Sequence, residues 1–280
     1  MQDLVVYKLE QFETKENDCF ILGSFESFHL GHLQLFNKAN SLPGRNILVT
    51  FNVESGMPKF EENYFANSKA KYFQLARFPF DAVIELDFWE IKHLEGAEFI
   101  KLLSQNQKIN LIGGKDFKFG NGAKWNLIDF KYDNATNHIV DFVKIQNTKI
   151  STSLIKQNLE FGKVEFANSM LVFEYPILAK VLDQNLLDID YKVLKLHSGI
   201  YASKIYVDNL VFYALIHVGL NKQYHFQLID FEQSNNWIDA EVYIEVFNEI
   251  RLIISTIDDQ IIESDLDNAK QYFLNLLNKK

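Results

Sequence analysis

Cysteine is almost absent, since Cys19 is the only one among 280 residues. An intrachain disulfide is therefore excluded, and a metal site built on cysteines is not expected. Apolar runs are also short, and none reaches the roughly 18 residues that a membrane-spanning helix needs. The first fifteen residues contain acids and lack the basic start and clean apolar run of a signal peptide. These features predict a cytoplasmic protein with no membrane partner.

Positive charge is scarce as well, because 28 Lys and Arg stand against 37 Asp and Glu and the net charge is −9. A protein that binds duplex nucleic acid usually needs a basic face to replace the counterions around phosphates. Nucleic acid is therefore not an expected partner, although a locally positive pocket could still hold a small phosphorylated ligand. Only three residues are arginine, so a lysine could stand where related proteins carry arginine.

Hydrophobic residues make up 48% of the chain, which is enough for one large domain or two ordinary ones. Up to about residue 175, short apolar runs alternate with helical patterns. This alternation predicts an α/β domain with a parallel, Rossmann-like sheet, whose ligands bind beyond the carboxyl ends of the strands. The predicted strands are 19–22, 46–51, 81–86 and 109–112, and the predicted helices are 32–40, 68–77 and 95–105.

The pattern changes after Pro176, where β-rich runs follow one another with few helices between them. This predicts a small antiparallel β-barrel or sandwich, closed by a C-terminal helix at 261–277. We therefore expect one domain over residues 1–175 and a second over 176–280. The β-rich runs are 199–206, 210–218, 224–231 and 242–247. The sequence leaves the oligomeric state open.

One segment, GSFESFHLGH from Gly23 to His32, combines features of a nucleotide site. Gly23 follows a predicted strand and lets the backbone approach a ligand closely, and Gly31 is expected to do the same beneath a nucleotide base. The start of the next helix offers free N–H groups to phosphate. His29 and His32 could donate hydrogen bonds to an α-phosphate as its charge builds, which is electrostatic catalysis of an in-line displacement.

The histidine pair has two other possible interpretations. His29 and His32 could be ordinary histidines at a helix cap, with no part in chemistry. They could also bind zinc, although no third ligand is nearby. A Walker A loop is excluded because the segment does not end in Gly-Lys-Ser/Thr.

The run GSFESFHLGHLQL resembles the signature G-x-F-D-G-x-H-x-G-H of the bacterial FAD synthetases, which are bifunctional riboflavin kinase/FMN adenylyltransferases. Two further segments follow in the family's order. GKDFKFG at 114–120 is similar to its G-x-D-F-R-F-G loop, and ISTSLIK at 150–156 is similar to its I-S-S-T-R-I-R motif. The resemblance covers nearly the whole chain and implies FAD synthesis, in which AMP passes from ATP to FMN.

The resemblance also implies roles for individual residues. The catalytic pair would be His29 and His32, and Mg²⁺ would arrive with ATP. The ATP side would be formed by Gly23, Ser24, Phe25, Gly31, Ser151, Thr152, Ser153 and Lys156. The FMN side would be bordered by Asp116, Phe117 and Phe119. Plain core packing is the alternative for the two phenylalanines, and a simple helix N-cap is the alternative for the three hydroxyl residues.

The sequence departs from the family pattern at several positions. Glu26 and Ser27 replace an Asp and a Gly in the first motif, Leu154 replaces an arginine in the third, and NVES at 52–55 replaces Glu-Pro-His-Pro. Lys156 takes the place of the final arginine and offers a point charge where the arginine would offer a bidentate fork. The placement of the flavin could therefore differ from that in the family.

The second half resembles the riboflavin kinase module of the same family but lacks two of its parts. The Gly-rich stretch ending in Pro-Thr-Ala-Asn, which grips ATP and Mg²⁺, is missing before Gly199. His225 stands where the catalytic glutamate is expected. We therefore expect this domain to be inactive as a kinase.

The sequence is compatible with several alternative functions. The chain could be a fully bifunctional enzyme whose kinase site uses unfamiliar residues. It could instead be a non-catalytic flavin or nucleotide sensor. A third alternative is a nucleotidylyltransferase acting on nicotinate mononucleotide or pantetheine phosphate.

Overall fold

The computed structural model describes residues 4–58, 63–183, 185–232 and 237–278. These residues divide into two compact units. The first holds the described residues up to 58 together with Lys71–Ser151, and the second holds Asn63–Ala70 and the described residues from Thr152 onward. The domain boundary expected near residue 175 stays a prediction. In the structure the compact units separate between Ser151 and Thr152.

The first unit is built on a parallel sheet of six strands in the order β1-β4-β3-β2-β5-β8. Its inner strands are almost wholly buried and rich in Ile, Val and Leu, as expected for a parallel sheet covered on both faces. The strands are β1 (Val6–Lys8), β2 (Cys19–Leu22), β3 (Asn46–Phe51), β4 (Ala82–Leu86), β5 (Ile109–Gly114) and β8 (Ala135–Val140).

The chain runs from β2 outward through β3 to β4 and then returns to β5 on the other side of β2. The strand order therefore reverses between β2 and β5, and ligands bind at such a switch point in open α/β sheets. The helices between the strands are α1 (Leu30–Asn40), α2 (Ser68–Leu75), α3 (Phe88–Ile91) and α4 (Gly96–Ser104). Two short antiparallel pairs, β6 (Lys118–Phe119) with β7 (Trp125–Asn126) and β9 (Lys144–Ile145) with β10 (Thr148–Lys149), complete the unit.

The second unit is a closed antiparallel barrel in the order β11-β12-β15-β14-β13-β16. The last strand, β16, is twelve residues long and pairs with both β11 and β13, which closes the ring. The other strands are β11 (Tyr175–Val181), β12 (Leu186–Asp188), β13 (Gly199–Val207), β14 (Leu210–Val218) and β15 (Tyr224–Leu228), and β16 is Glu241–Leu252.

The described residues of the second unit include the helices α5 (Thr152–Glu160), α6 (Val164–Asn168) and α7 (Glu263–Asn278). Helix α7 packs on the barrel through Ala269 and Phe273, which lie in its hydrophobic core. Arg251 on β16 fixes the start of α7 by donating two hydrogen bonds to the buried Asp265, at 2.9 and 3.1 Å.

The predicted fold class, a parallel α/β domain followed by an antiparallel barrel and a C-terminal helix, is confirmed. The strands β1, β8, β11 and β12, the short strands β6, β7, β9 and β10, and helix α3 were not predicted. No helix in the described part of the chain is long and apolar enough to cross a membrane.

Candidate active site

His29 is fixed by the helix that it begins. It is the N-cap of α1, and its ring Nδ1 accepts a hydrogen bond from the backbone N–H of His32 at 3.3 Å. An accepting nitrogen carries no proton, so the proton of the neutral His29 ring lies on Nε2. The side chain is 8% exposed, so its orientation is also set by burial. The cap and the catalytic group expected here are therefore the same imidazole.

His32 is oriented by the turn before the helix. Its Nδ1 lies 2.7 Å from the carbonyl oxygen of Ser27. Because a carbonyl oxygen can only accept, Nδ1 must carry a proton, and Nε2 is the ring nitrogen left to change its protonation state. The His29 and His32 rings stack with centroids 3.8 Å apart and planes 11° apart. Phe25 covers His32 with a centroid distance of 4.4 Å.

Gly31 is needed for the position of His29. A Cβ at this residue would lie 2.9 Å from Cε1 and 3.0 Å from Nδ1 of the His29 ring. Contacts this short require the ring to move. The expectation that Gly31 makes room beneath a nucleotide base stays a prediction, whereas the structure shows that it makes room for the histidine.

The residues that depart from the family signature are buried inside the turn. Glu26 and Ser27 are only 2% and 1% exposed. Since His32 contacts the backbone carbonyl of Ser27, a serine can replace glycine there without removing the contact. The backbone of Ser24 links the turn to strand β3, because its carbonyl oxygen accepts a hydrogen bond from the Thr50 hydroxyl at 2.8 Å. Phe25 is buried and has a positive φ of 43°.

An apolar cavity of about 280 Å³ lies in the first unit. It opens at the carboxyl ends of β2, β3 and β4. Part of its wall is Gly23, the first residue of the segment 23–32 that carries His29 and His32, which we call the histidine turn. Phe117 and Phe119 line it, and their rings are stacked with centroids 5.9 Å apart. Sequence reasoning missed the aromatic residues that end or follow β3 and β4, namely Phe51 and Phe88. A cavity of this kind suits a flat, largely apolar ring system.

The two phenylalanines differ in burial. Phe119 belongs to the buried hydrophobic core of the sheet, while Phe117 is partly buried and packs against that core. Core packing and cavity lining therefore coexist at Phe119. Asp116 is not among the cavity residues and instead forms an ion pair with Lys149. Its assignment to the flavin side stays a prediction.

The ISTSLIK segment marks the point where the two units divide. Ser151 belongs to the first unit, and helix α5 begins at Thr152 in the second. Thr152 is buried and Ser153 is exposed. The Nζ atom of Lys156 donates a hydrogen bond to the carbonyl of Asn63 at 2.7 Å. The proposed contacts of these residues with phosphate remain untested by the geometry.

A cavity of about 730 Å³ lies in the second unit, and His225 is part of its wall. His217 lies beside it and contacts the Asp259 carboxylate at 2.8 Å. Burial, and secondarily the neighbouring His217, lower the pKa of His225. The described lining contains the carboxylates of Asp183, Glu232 and Asp259 but no lysine or arginine.

The model of a known family, FAD synthetase, matches residues 11–154. The chain belongs to the FAD synthetase family. The matched segment contains the histidine turn, the apolar cavity and the start of α5.

Curated relatives resemble the chain over nearly its whole length. The bifunctional riboflavin kinase/FMN adenylyltransferase of Buchnera aphidicola subsp. Schizaphis graminum is 24% identical, and the alignment covers 92% of this chain and 94% of that protein. The protein of the same name from Bacillus subtilis is 25% identical, with 94% and 95% covered.

A solved structure entitled "Crystal Structure of Macrolide-efflux Protein from Streptococcus pneumoniae" superposes with a TM-score of 0.78. It is 23% identical and covers 98% of both chains. At that identity the likeness shows the fold alone, so its title carries no weight for the function of this member of the FAD synthetase family.

Proposed function

We propose that this chain makes FAD by transferring the AMP group of ATP to FMN. A phosphate oxygen of FMN attacks the α-phosphorus of ATP, the new P–O bond forms, and the bond between the α-phosphorus and the bridging oxygen breaks to release pyrophosphate. Membership of the FAD synthetase family supports this reaction. Mg²⁺ is proposed to arrive bound to the triphosphate, whose oxygens it prefers as ligands.

The observation that carries the proposal is the pair of stacked imidazoles at the start of α1, in the same turn as the wall of an aromatic cavity. Both rings are oriented by backbone groups, so little reorganisation is needed when charge develops on the α-phosphate. His29 donates from Nε2, and His32 donates from Nε2 when protonated. The cavity takes the flavin ring between the aromatic side chains, with Phe117 and Phe119 on one side.

Phosphate binding is assigned to Ser24 and Phe25 in the turn and to Ser151, Thr152, Ser153 and Lys156 around the start of α5. The similarity of these segments to the family motifs supports this assignment, as does the N-terminal position of Thr152 on its helix. Flavin contact by Asp116 is proposed on the same similarity.

Riboflavin kinase activity is the second candidate, because the relatives are named as bifunctional enzymes. We propose that it has been lost here. Phosphoryl transfer depends on neutralising the charge of the γ-phosphate, and the described lining of the barrel cavity offers no lysine or arginine for this. His225, in place of a carboxylate, removes the expected base as well.

The test is incubation of the purified protein with ATP and Mg²⁺ and with either FMN or riboflavin, followed by chromatography of the flavins. We expect FAD from FMN and no FMN from riboflavin. Replacing His29 or His32 with alanine should lower FAD formation by about two to three orders of magnitude, the usual effect of losing one transition-state donor. His138→Ala is the control, since this β8 histidine lies 3.0 Å from the side-chain oxygen of Asn110 through its Nε2 and has no proposed role. Near-normal turnover in both test variants would refute the histidine mechanism.

A further inference from the structure

Lys71 on α2 is a buried lysine whose ammonium group joins two parts of the candidate site. Lys71 is only 4% exposed. Its Nζ atom donates a hydrogen bond to the Phe51 carbonyl oxygen at 2.7 Å. A second hydrogen bond runs from Nζ to the Thr50 hydroxyl at 3.3 Å. That hydroxyl in turn donates to the carbonyl of Ser24 at 2.8 Å.

The burial of an ammonium group is costly and needs an explanation. Burial is the main cause that lowers the pKa of Lys71 to about 8, and the carboxylates of Glu85, Glu54 and Glu26 partly oppose it. The centroid of the Tyr72 ring, on the same helix, lies 5.0 Å from the Nζ atom of Lys71. An apolar residue of similar length would fill this space without the cost of burying a charge. Simple packing is therefore a poor explanation for a lysine at this position.

Both ends of the hydrogen-bonded chain belong to the proposed adenylyltransferase site. Ser24 lies in the histidine turn, directly after Gly23, and Phe51 is a wall of the apolar cavity. We propose that Lys71 is a positioning residue for adenylyl transfer. Through Thr50, it holds the histidine turn and the apolar cavity in a fixed position relative to each other. This inference rests on the proposed function, because it assigns those two regions to ATP and FMN.

The chemistry requires that the attacking phosphate oxygen and the α-phosphorus approach in line, and a displacement of about 1 Å can cost about 10²-fold in rate. Lys71 touches neither substrate in this scheme. Its loss should therefore lower kcat and leave both KM values nearly unchanged, because each substrate keeps its own contacts.

The experiment measures FAD formation by wild type, Lys71→Met, Thr50→Val and the double variant, with Lys101→Met, an exposed lysine on α4, as control. We expect each single variant to lose about 10- to 100-fold in kcat, with KM for ATP and FMN changed less than about threefold. The double variant should lose no more than the worse single variant, because both changes break the same link. Thermal midpoints should not fall in proportion to kcat.

The outcomes separate the two proposals. If wild type makes no FAD from FMN, the proposed function is wrong. If wild type is active and Thr50→Val and Lys71→Met keep full kcat, the positioning role is wrong. Multiplying losses in the double variant would also overturn it. Thr50→Val preserves side-chain shape and leaves Lys71 in place, so its full activity would decide against the link even if Lys71→Met fails to fold.

Discussion

Replacing Gly31 with alanine is the sharpest test of how the histidine turn works. The added Cβ would lie 2.9 Å from the His29 ring, whereas ordinary contacts begin near 3.4 Å, so the ring must move by about half an ångström or rotate away. A misplacement of that order should cost about 10- to 100-fold in kcat/KM. Stability should change little, because the advantage of alanine over glycine in a helix, about 1 kcal/mol, is offset by the weakened His29 cap, worth about 0.5–2 kcal/mol.

The assay is FAD formation from FMN, with the thermal midpoint measured on the same samples. The matched control is Gly31→Ala in a His29→Ala background, where the ring that causes the clash is gone. There the extra substitution should cost almost nothing. If instead it lowers activity as much as in the wild type, Gly31 serves the approach of ATP and the steric reasoning is wrong. Full activity of the single variant would refute both explanations.

Three further predictions concern other parts of the chain. Lys156→Ala should raise the KM for ATP more than it lowers kcat, if the lysine mainly holds ground-state phosphate; steady-state kinetics at varied ATP would show an unchanged KM if it does not. Phe117→Ala should raise the KM for FMN with a small loss of stability, whereas Phe119→Ala should also cost about 3 kcal/mol of unfolding free energy in denaturant titrations, because Phe119 is core. The difference in unfolding free energy between wild type and Lys71→Met should change in favour of wild type by about 3 kcal/mol from pH 8 to 10.5. Over that range Lys71 keeps its proton in the unfolded chain and loses it in the folded protein. A difference in unfolding free energy that does not change with pH would contradict the lowered pKa of Lys71.

Much of the fold could be predicted because its central strands are short apolar runs between helical patterns. The strands β2, β3 and β4 are buried at nearly every residue. Their residues are therefore mostly apolar, and the sequence alone is enough to recognise them as strands. Strand β8 escaped prediction because Ala135–Val140 mixes polar and apolar residues at the sheet edge. Strand β16 runs five residues beyond its predicted end, since Asn248 and Glu249 look like a break but still pair with β13.

The candidate site was predicted less completely. A motif locates His29 and His32, but it does not reveal that the His29 ring caps its own helix or that Gly31 lies against it. Lys71 reads as an ordinary helix lysine, and only its burial and its contact with Phe51 distinguish it. These properties depend on residues brought together from separate strands, and local sequence does not encode them.

The closure of the barrel has a consequence for the order in which it can assemble. Strands β13 and β14 are joined by a two-residue turn at Asp208 and Asn209, both with positive φ, so this hairpin can form as soon as it is synthesised. The ring closes only when Tyr175 meets Val246, which is a pairing distant in sequence and therefore slow to form. A nascent chain that stops before β16 would leave β11 and β13 with open edges, where strands of other molecules could add. Pairing of β16 with both β11 and β13 is thus the step that removes these open edges.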